Sequence, residues 1–191
     1  IVGFNYKFGY KNLGNVDLLR KLSEKLNFEL YVVDPIKFND EPVSSSRIRD
    51  LISSGNVLEA NEMLYKPYML KGKVVKGKQL GRTIGFPTAN LEINYNFIIP
   101  SRGVYYTVVE YNTKKYKGIT SVGVNPTVNG KRLTIETYII DFNHEIYNEE
   151  IKVYFISKFR EELKFNSLQE LTQQLNKDLQ YAKKQKLVII S

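Results

Sequence analysis

The first third of the chain combines short apolar runs with one clear helical repeat, a pattern typical of an α/β arrangement. Asn15 favours the N-cap position before that repeat, which consists of Val16, Leu19, Leu22 and Leu26. Further elements are predicted as strands at 1–3 and 28–33 and as helices at 44–52 and 56–64. Asn56 and Glu59 stand at the spacing of a capping box.

From Pro67 onward the pattern changes to short β-rich runs separated by Gly, Asn and Pro. Strands are predicted near 69–76, 104–111, 115–124, 133–140 and 151–157, with a tight turn at Asn129-Gly130. Because no helical pattern lies between these runs, they favour an antiparallel sandwich or a small barrel. We place a domain boundary before Pro67, which divides the chain into domains 1–66 and 67–191.

The last apolar repeat predicts a carboxy-terminal helix that packs on this β domain. Ser167 and Glu170 have the spacing of a capping box. The apolar stripe of the helix consists of Leu168, Leu171, Leu175, Leu179 and Ala182.

Composition narrows the classes of function. The 14 Tyr, the 10 Phe and a hydrophobic fraction of 42% exclude global disorder. The absence of Cys excludes disulfides and thiolate sites, and a single His, His144, excludes a multi-His metal site and argues against a Ser-His-Asp triad. No apolar run approaches the ~18 residues of a membrane span and no signal peptide is recognised, so we expect a cytoplasmic protein. Because the chain begins with Ile1, we interpret it as a piece of a longer protein.

The net charge of +8 lies entirely in the second part of the chain. Residues 1–66 carry equal numbers of acidic and basic side chains, whereas the stretch from Lys71 to Leu91 holds five basic residues and no acid. Such a stretch beside glycines fits an anionic partner, which includes nucleotide phosphate, nucleic acid and an acidic membrane. A solvated basic surface is the alternative.

The basic stretch contains a near match to a P-loop. Residues 72–78 follow G-x-x-x-x-G-K, but Gln79 stands where a Ser or Thr is needed to hold magnesium. A P-loop must also open a helix, and Gly81, Gly85 and Pro87 predict that no helix forms there. We therefore reject a P-loop.

Two interpretations of the glycine-rich segment remain. Closely spaced glycines let backbone N–H groups approach a phosphate, and Thr88 and Asn90 offer hard oxygen ligands for an Mg²⁺ that bridges substrate phosphates. Alternatively, the segment is a glycine-rich barrel corner in which these two residues cap turns.

One strand carries a candidate base. Alternation along 133–140 puts Ile135 and Thr137 on one face and Glu136 and Tyr138 on the other. Glu is depleted in strands, so Glu136 either faces solvent or belongs to a site, where it can accept a proton from an attacking hydroxyl.

Five short motifs follow one another in the second domain. They are G-F-P-T-A-N at 85–90, P-x-x-G-V-Y at 100–105, V-G-x-x-P-T at 122–127, Glu136 in a strand that ends in Asp141-Phe142, and R-x-E-x-K-F at 160–165. In this order they resemble bacterial riboflavin kinase. The resemblance implies a six-stranded antiparallel barrel with a carboxy-terminal helix. It also implies transfer of the γ-phosphoryl group of ATP to the 5′-hydroxyl of riboflavin.

The resemblance also implies roles for individual residues. Glu136 would orient and deprotonate the ribityl hydroxyl. The nucleotide would be bound by Gly77, Lys78, Gly81, Arg82, Gly85, Pro87, Thr88 and Asn90. Of these, Thr88 and Asn90 would also hold Mg²⁺. The flavin would be covered by Arg160, Glu162, Lys164 and Phe165.

The first domain carries two further matches. Residues 43–49 read V-S-S-S-R-I-R, and residues 3–9 fit G-x-x-F-x-F-G in part. Ser44, Ser45 and Arg47 at a helix N-terminus can bind phosphate, although plain N-capping is the alternative. Both segments resemble the end of the FMN adenylyltransferase module of bifunctional bacterial FAD synthetases. The fold implied is a partial Rossmann-like α/β segment.

The H-x-G-H motif of that module is absent from this chain. We therefore expect that the chain as printed makes no FAD, and that its parent protein is bifunctional.

Two other functions are alternatives to the kinase. An OB-like nucleic-acid-binding barrel shares the small β fold, the basic charge and the many tyrosines, but it requires neither G-F-P-T-A-N nor a strand glutamate. A flavin-binding protein without catalysis would bind riboflavin and show no ATP turnover. We favour the kinase, with riboflavin, ATP and FMN as partners and neither nucleic acid nor a membrane.

Overall fold

Contacts divide the chain into two compact units, Ile1–Ser45 and Ser46–Ser191. The computed structural model describes residues 1–77, 79–93, 96–127 and 130–187, and the side chains of 125–127 and 130–132 fall outside this description. No helix in the described part of the chain is long and apolar enough to cross a membrane.

The first unit is a small α/β assembly. Its elements are β1 (Val2–Gly3), a 3-10 helix (Tyr10–Asn12), α1 (Val16–Leu26), β2 (Val32–Val33), β3 (Lys37–Phe38) and β4 (Glu41–Pro42). β1 pairs in parallel with β2, which requires a crossover such as α1, whereas β3 and β4 form an antiparallel hairpin. The side chain of Asn15 accepts a hydrogen bond from the N–H of Leu18 at 2.9 Å, which confirms the predicted N-cap.

The second unit contains a closed six-stranded barrel. Its elements are α2 (Ser45–Ser54, which begins at the boundary), α3 (Val57–Glu62), β5 (Met69–Val75), α4 (Leu80–Thr83), β6 (Thr88–Glu92), β7 (Gly103–Tyr111), β8 (Lys114–Thr127), β9 (Gly130–Ile139), β10 (Glu150–Arg160) and α5 (Leu168–Lys184). The strands follow the order β10-β5-β6-β9-β8-β7 around the barrel, and every neighbouring pair is antiparallel. The predicted barrel and all five predicted strands are confirmed. Asn129 of the predicted turn lies outside the described residues.

The barrel interior follows from the alternation of side chains along its strands. Tyr105 and Phe155 are completely buried inside and meet edge to face with ring centroids 5.2 Å apart. The buried hydroxyl of Thr120 lies 2.9 Å from the hydroxyls of both Thr107 and Thr137, so three polar side chains of β7, β8 and β9 satisfy one another.

α5 packs on the outside of the barrel, as its apolar stripe predicts. The hydroxyl of Ser167 accepts a hydrogen bond from the N–H of Glu170 at 3.1 Å and caps the helix. Ala182 is fully buried and Leu179 packs beside it on the outward side chains of β7 and β8. The prediction that Leu168 packs on the barrel with this stripe is wrong, because Leu168 remains 55% exposed at the first turn of the helix.

α3 belongs to the second unit and packs on the barrel. Val57 and Ala60 are fully buried, and α3 contacts β10. The contacts therefore divide the chain earlier than residue 66, while the boundary before Pro67 stays a prediction. The predicted capping box is wrong in detail, because the amide of Asn56 donates to the Glu59 carboxylate at 2.7 Å and caps no backbone group.

Asn61 links α3 to β10 and to Tyr68, the residue directly before β5. Its side-chain amide donates to the carbonyl of Phe155 at 2.8 Å and accepts from the N–H of Tyr68 at 2.8 Å. We expect Asn61→Ala to lower the free energy of unfolding of the second unit by about 1–3 kcal/mol, because it leaves partly buried backbone groups unpaired. Urea denaturation followed by circular dichroism measures this change.

The matched control is Asn176→Ala, since Asn176 is an exposed helical residue that donates to the carbonyl of Thr172 at 2.9 Å. We expect that control to stay within about 0.5 kcal/mol of the parent chain. Equal effects of the two substitutions would contradict the bridging role of Asn61.

Candidate active site

β9 presents Glu136 on the outer face of the barrel. Ile135, Thr137 and Ile139 point into the core, with exposures of 4%, 0% and 5%. Glu136 and Tyr138 therefore point outward, and both are half-buried. The predicted alternation is confirmed, and Glu136 lies on a partly sheltered surface.

β6 brings Thr88 and Asn90 to the same outer face. Asn90 lies opposite Glu136 in the strand register, and Thr88 lies opposite Tyr138. Ala89 between them is turned inward and buried. The hydroxyl of Thr88 donates to the Glu136 carboxylate at 3.4 Å. We call the set Thr88, Asn90 and Glu136 the oxygen cluster. The alternative in which Thr88 and Asn90 cap turns is wrong, because both belong to a strand.

Glycine at position 77 makes room for the oxygen cluster. A Cβ on Gly77 would collide with the side-chain amide of Asn90. The amide of Asn90 therefore lies directly against the backbone of the glycine-rich segment. Lys78, the next residue, lies outside the described part of the chain.

The glycine-rich segment folds back in one helical turn. Gln79 has a left-handed φ of 57°, α4 follows at Leu80–Thr83, and Gly85 ends the turn with a φ of 83°. The prediction that no helix forms here is thus wrong for this single turn. Gly81 is accommodated because its missing Cβ lets the carbonyl of Phe86 approach closely. The short α4 still differs from a P-loop helix, which supports the rejection of that motif.

A cavity of about 270 Å³ opens beside the oxygen cluster. Its strand walls are mainly apolar and include Val74, Ala89 and Ile139, while Thr88 and Thr137 add two hydroxyls. Gln79, Arg82, Pro87 and the loop of residues 142–147 complete the lining. The combination of apolar walls with a few polar groups is suited to a flat heteroaromatic ligand.

Two contacts join α4 and the residue before it to the loop of residues 142–147. The guanidinium of Arg82 donates to the Glu145 carboxylate at 2.7 Å, and both side chains are exposed. The side-chain amide of Gln79 donates to the hydroxyl of Tyr147 at 3.3 Å. The hydrogen bond to Glu145, with its negative charge, raises the pKa of Arg82 above its ordinary value. Arg82 therefore stands at the rim of the cavity as a member of an ion pair.

His144 lines the cavity, although no motif in the sequence assigns it a function. Its ring lies 5.3 Å from that of Phe142, which is itself packed edge to face on Tyr111 and Tyr116. Both His144 and Phe142 line the cavity. The Asp141-Phe142 motif, which leads into this loop, was the one signal in the sequence that could have pointed to it.

Tyr138 adds a neutral donor to the outer face. Burial raises the pKa of its hydroxyl, and the negative charge of Asp141 raises it further. Its ring packs edge to face on Phe86 at 5.2 Å. Tyr138 therefore keeps its proton at neutral pH and can donate a hydrogen bond beside Thr88.

The residues predicted to cover the flavin lie at the end of β10 and in the connection that follows it. Glu162 crosses the outer face of β8, where a Cβ on Gly123 would collide with its carboxylate. Arg160 forms an ion pair with Asp178 of α5. Lys164 is exposed and Phe165 is half-buried. Their contact with flavin stays a prediction.

The predicted phosphate residues of the first domain lie together at the start of α2, where the boundary between the two units falls. Ser44 and Ser45 fall in the first unit, and Ser45 is the first residue of α2. Arg47 falls in the second unit, where its guanidinium lies 3.5 Å from the Glu59 carboxylate. Their adenylyltransferase role stays a prediction.

Comparison with known proteins gives matches over both parts of the chain. The family model described as riboflavin kinase matches residues 64–186, and the one described as FAD synthetase matches residues 1–47. Two similar proteins are named bifunctional riboflavin kinase/FMN adenylyltransferase. The protein from Listeria monocytogenes is 41% identical over 94% of this chain, and that from Bacillus subtilis is 37% identical over 95%. The chain spans 57% and 58% of their lengths.

A solved structure shares the fold closely. It is titled as a macrolide-efflux protein from Streptococcus pneumoniae and superposes with a TM-score of 0.87 at 37% identity. The match covers 96% of this chain and 59% of the other.

Proposed function

Because the chain belongs to the riboflavin kinase family, we propose that its barrel unit transfers the γ-phosphoryl group of ATP to the 5′-hydroxyl of riboflavin. The products are FMN and ADP. The observation that carries this proposal is the oxygen cluster, in which Thr88, Asn90 and Glu136 share one outer face beside a cavity with apolar strand walls.

Glu136 is proposed as the general base. Its carboxylate accepts the proton of the ribityl 5′-hydroxyl as the oxygen of that hydroxyl attacks the γ-phosphorus and the bond to the β-phosphate oxygen breaks. Phosphoryl transfer has a loose transition state, so the position of the base matters more than its strength. The hydrogen bond from Thr88 and the rigid pairing of β9 with β6 and β8 fix that position.

Mg²⁺ is proposed as the cofactor, with Thr88 and Asn90 as its protein ligands. The donor set fits, because a hydroxyl and a carboxamide oxygen are hard ligands and a carboxylate stands beside them. Mg²⁺ takes few protein ligands and completes its shell with waters and substrate phosphates. When bound, it would neutralise charge on the β- and γ-phosphates.

The cavity is proposed to hold the nucleoside of ATP. Its apolar strand walls suit the adenine ring, while the Arg82–Glu145 pair at the rim faces the more polar part of the ligand. The basic excess of the barrel domain then has a partner, since ATP brings about four negative charges. An OB-like nucleic-acid barrel is not favoured, because the family match accounts for the same charge.

Adenylylation of FMN to FAD is proposed for the longer parent protein. The match of residues 1–47 to FAD synthetase supports this, together with the names of the relatives. The chain as printed lacks the H-x-G-H motif implied by that resemblance.

Chromatography of flavins gives the direct test. We expect the chain to convert riboflavin to FMN in the presence of ATP and Mg²⁺, and to form no FAD. Absence of FMN from a folded chain, with both oxidised and reduced flavin tested, would contradict the kinase assignment. Formation of FAD would contradict only the expectation for the first unit.

Glu136→Gln should lower kcat by about 10²–10⁴-fold, because a base acts in the transition state. We expect the KM for ATP to stay within about twofold. The control is Glu110→Gln, the same substitution on the outer face of β7, where Glu110 pairs with Lys152 at 2.7 Å. We expect wild-type kcat from the control, and losses of similar size in kcat and nucleotide binding would refute a base.

Asn90→Ala should weaken binding of Mg-ATP roughly tenfold, equivalent to about 1.4 kcal/mol. The physical reason is loss of a ligand oxygen and of the contact with Gly77. Isothermal titration with a non-hydrolysable nucleotide measures it, with Asn176→Ala as control. Unchanged affinity would leave Asn90 with a structural role.

A further inference from the structure

The end of β10 is fastened to α5 by a buried ion pair. Asp178 is 2% exposed, although it is a carboxylate on a helix with a mainly polar surface. It accepts hydrogen bonds from Nε of Arg160 at 2.9 Å and from Nη2 of the same side chain at 2.5 Å. The side-chain amide of Gln174 adds a third donor at 2.8 Å. A buried carboxylate without such partners would be strongly destabilising, so the pair restrains both elements.

Arg160 also reaches the connection that follows it. Its Nη1 donates to the carbonyl of Glu161 at 2.9 Å, so all three guanidinium nitrogens are engaged within the protein. One turn along α5, Tyr181 stacks on Phe159 with ring centroids 4.6 Å apart. Two successive residues of β10 are therefore fixed to one face of α5.

The connection held in this way reaches the barrel face that carries the proposed base. The carboxylate of Glu162 lies directly over Gly123 of β8. Gly123 is paired with Thr134, which is two residues from Glu136 on the same outer face of β9. The chain from Arg160 to Glu162 thus leads from the ion pair to the neighbourhood of the proposed base.

We propose that Asp178 and Arg160 are positioning residues that set the connection 161–165 over the riboflavin site. The resemblance to the kinase family implies direct contact between Arg160 and flavin. The geometry instead assigns Arg160 an indirect role, because its nitrogens are used by Asp178 and by the backbone. This inference rests on the proposed function, since riboflavin is the ligand whose binding the connection controls.

Asp178→Asn is the main test, because it keeps the shape of the side chain and removes its charge. We expect the KM for riboflavin to rise about tenfold or more, while kcat and the KM for ATP stay within about threefold. Fluorescence titration of riboflavin should give the same loss of affinity. Hydrogen exchange should show faster exchange at 161–167 and unchanged exchange in β8.

Three further variants complete the design. Asp178→Glu restores the charge and should recover part of the riboflavin affinity. Gln174→Ala removes one donor to Asp178 and should raise the KM for riboflavin about threefold, so it replaces Asp178→Asn if that variant fails to fold. Glu110→Gln breaks the ion pair with Lys152 elsewhere on the barrel and should leave riboflavin affinity unchanged.

The outcomes separate the two proposals. If the unsubstituted chain binds riboflavin but forms no FMN, the kinase proposal is contradicted. Titration and hydrogen exchange would still test the positioning role. A lower melting temperature with unchanged riboflavin affinity would overturn the positioning role and leave the kinase intact. If the unsubstituted chain binds no riboflavin, both proposals are overturned.

Discussion

Closure of the barrel is the constraint on which the rest of the second unit depends. β10 pairs with β5 on one side and β7 on the other, so every strand has two neighbours and no edge remains open. A closed sheet has a definite inside and outside, and alternation then assigns each strand residue to one of them. The apolar interior and the polar outer face that carries Glu136 are two results of one hydrogen-bonded ring.

Closure of the barrel also explains how residues far apart in the chain meet at the proposed site. Thr88 and Asn90 approach Glu136 because β6 and β9 are neighbours in the ring, although 46 or more residues separate them in the chain. The segments between the strands form the rest of the surroundings. α4 and the loop of residues 142–147 enclose the cavity, and the connection after β10 crosses the outer face. Rigid strands thus place the reactive groups, while the segments joining them form the surroundings.

The sequence predicted local features well and distant contacts poorly. Alternation correctly placed Glu136 outward, and the caps at Asn15 and Ser167 were confirmed, because these depend on neighbours in the chain. No pattern in the sequence joins Arg160 to Asp178 or places His144 beside the cavity, since both depend on how the barrel closes. The fold class and the family could be recognised because their motifs occur in a fixed order, even though the physical pairing of those motifs is invisible in one sequence.

The three buried threonines impose a polarity on the wall of the cavity. Each hydroxyl carries one hydrogen, and Thr120 is satisfied when it donates to one neighbour and accepts from the other. The hydroxyls of Thr107, Thr120 and Thr137 form a row in which all O–H groups then point in the same direction. If one of these hydrogen bonds reverses its donor and acceptor, the other reverses as well. Thr137 ends the row and borders the cavity, whereas Thr107 ends it on β7. Whether Thr137 offers the cavity a proton or a lone pair is therefore coupled, through Thr120, to the orientation of a hydroxyl two strands away.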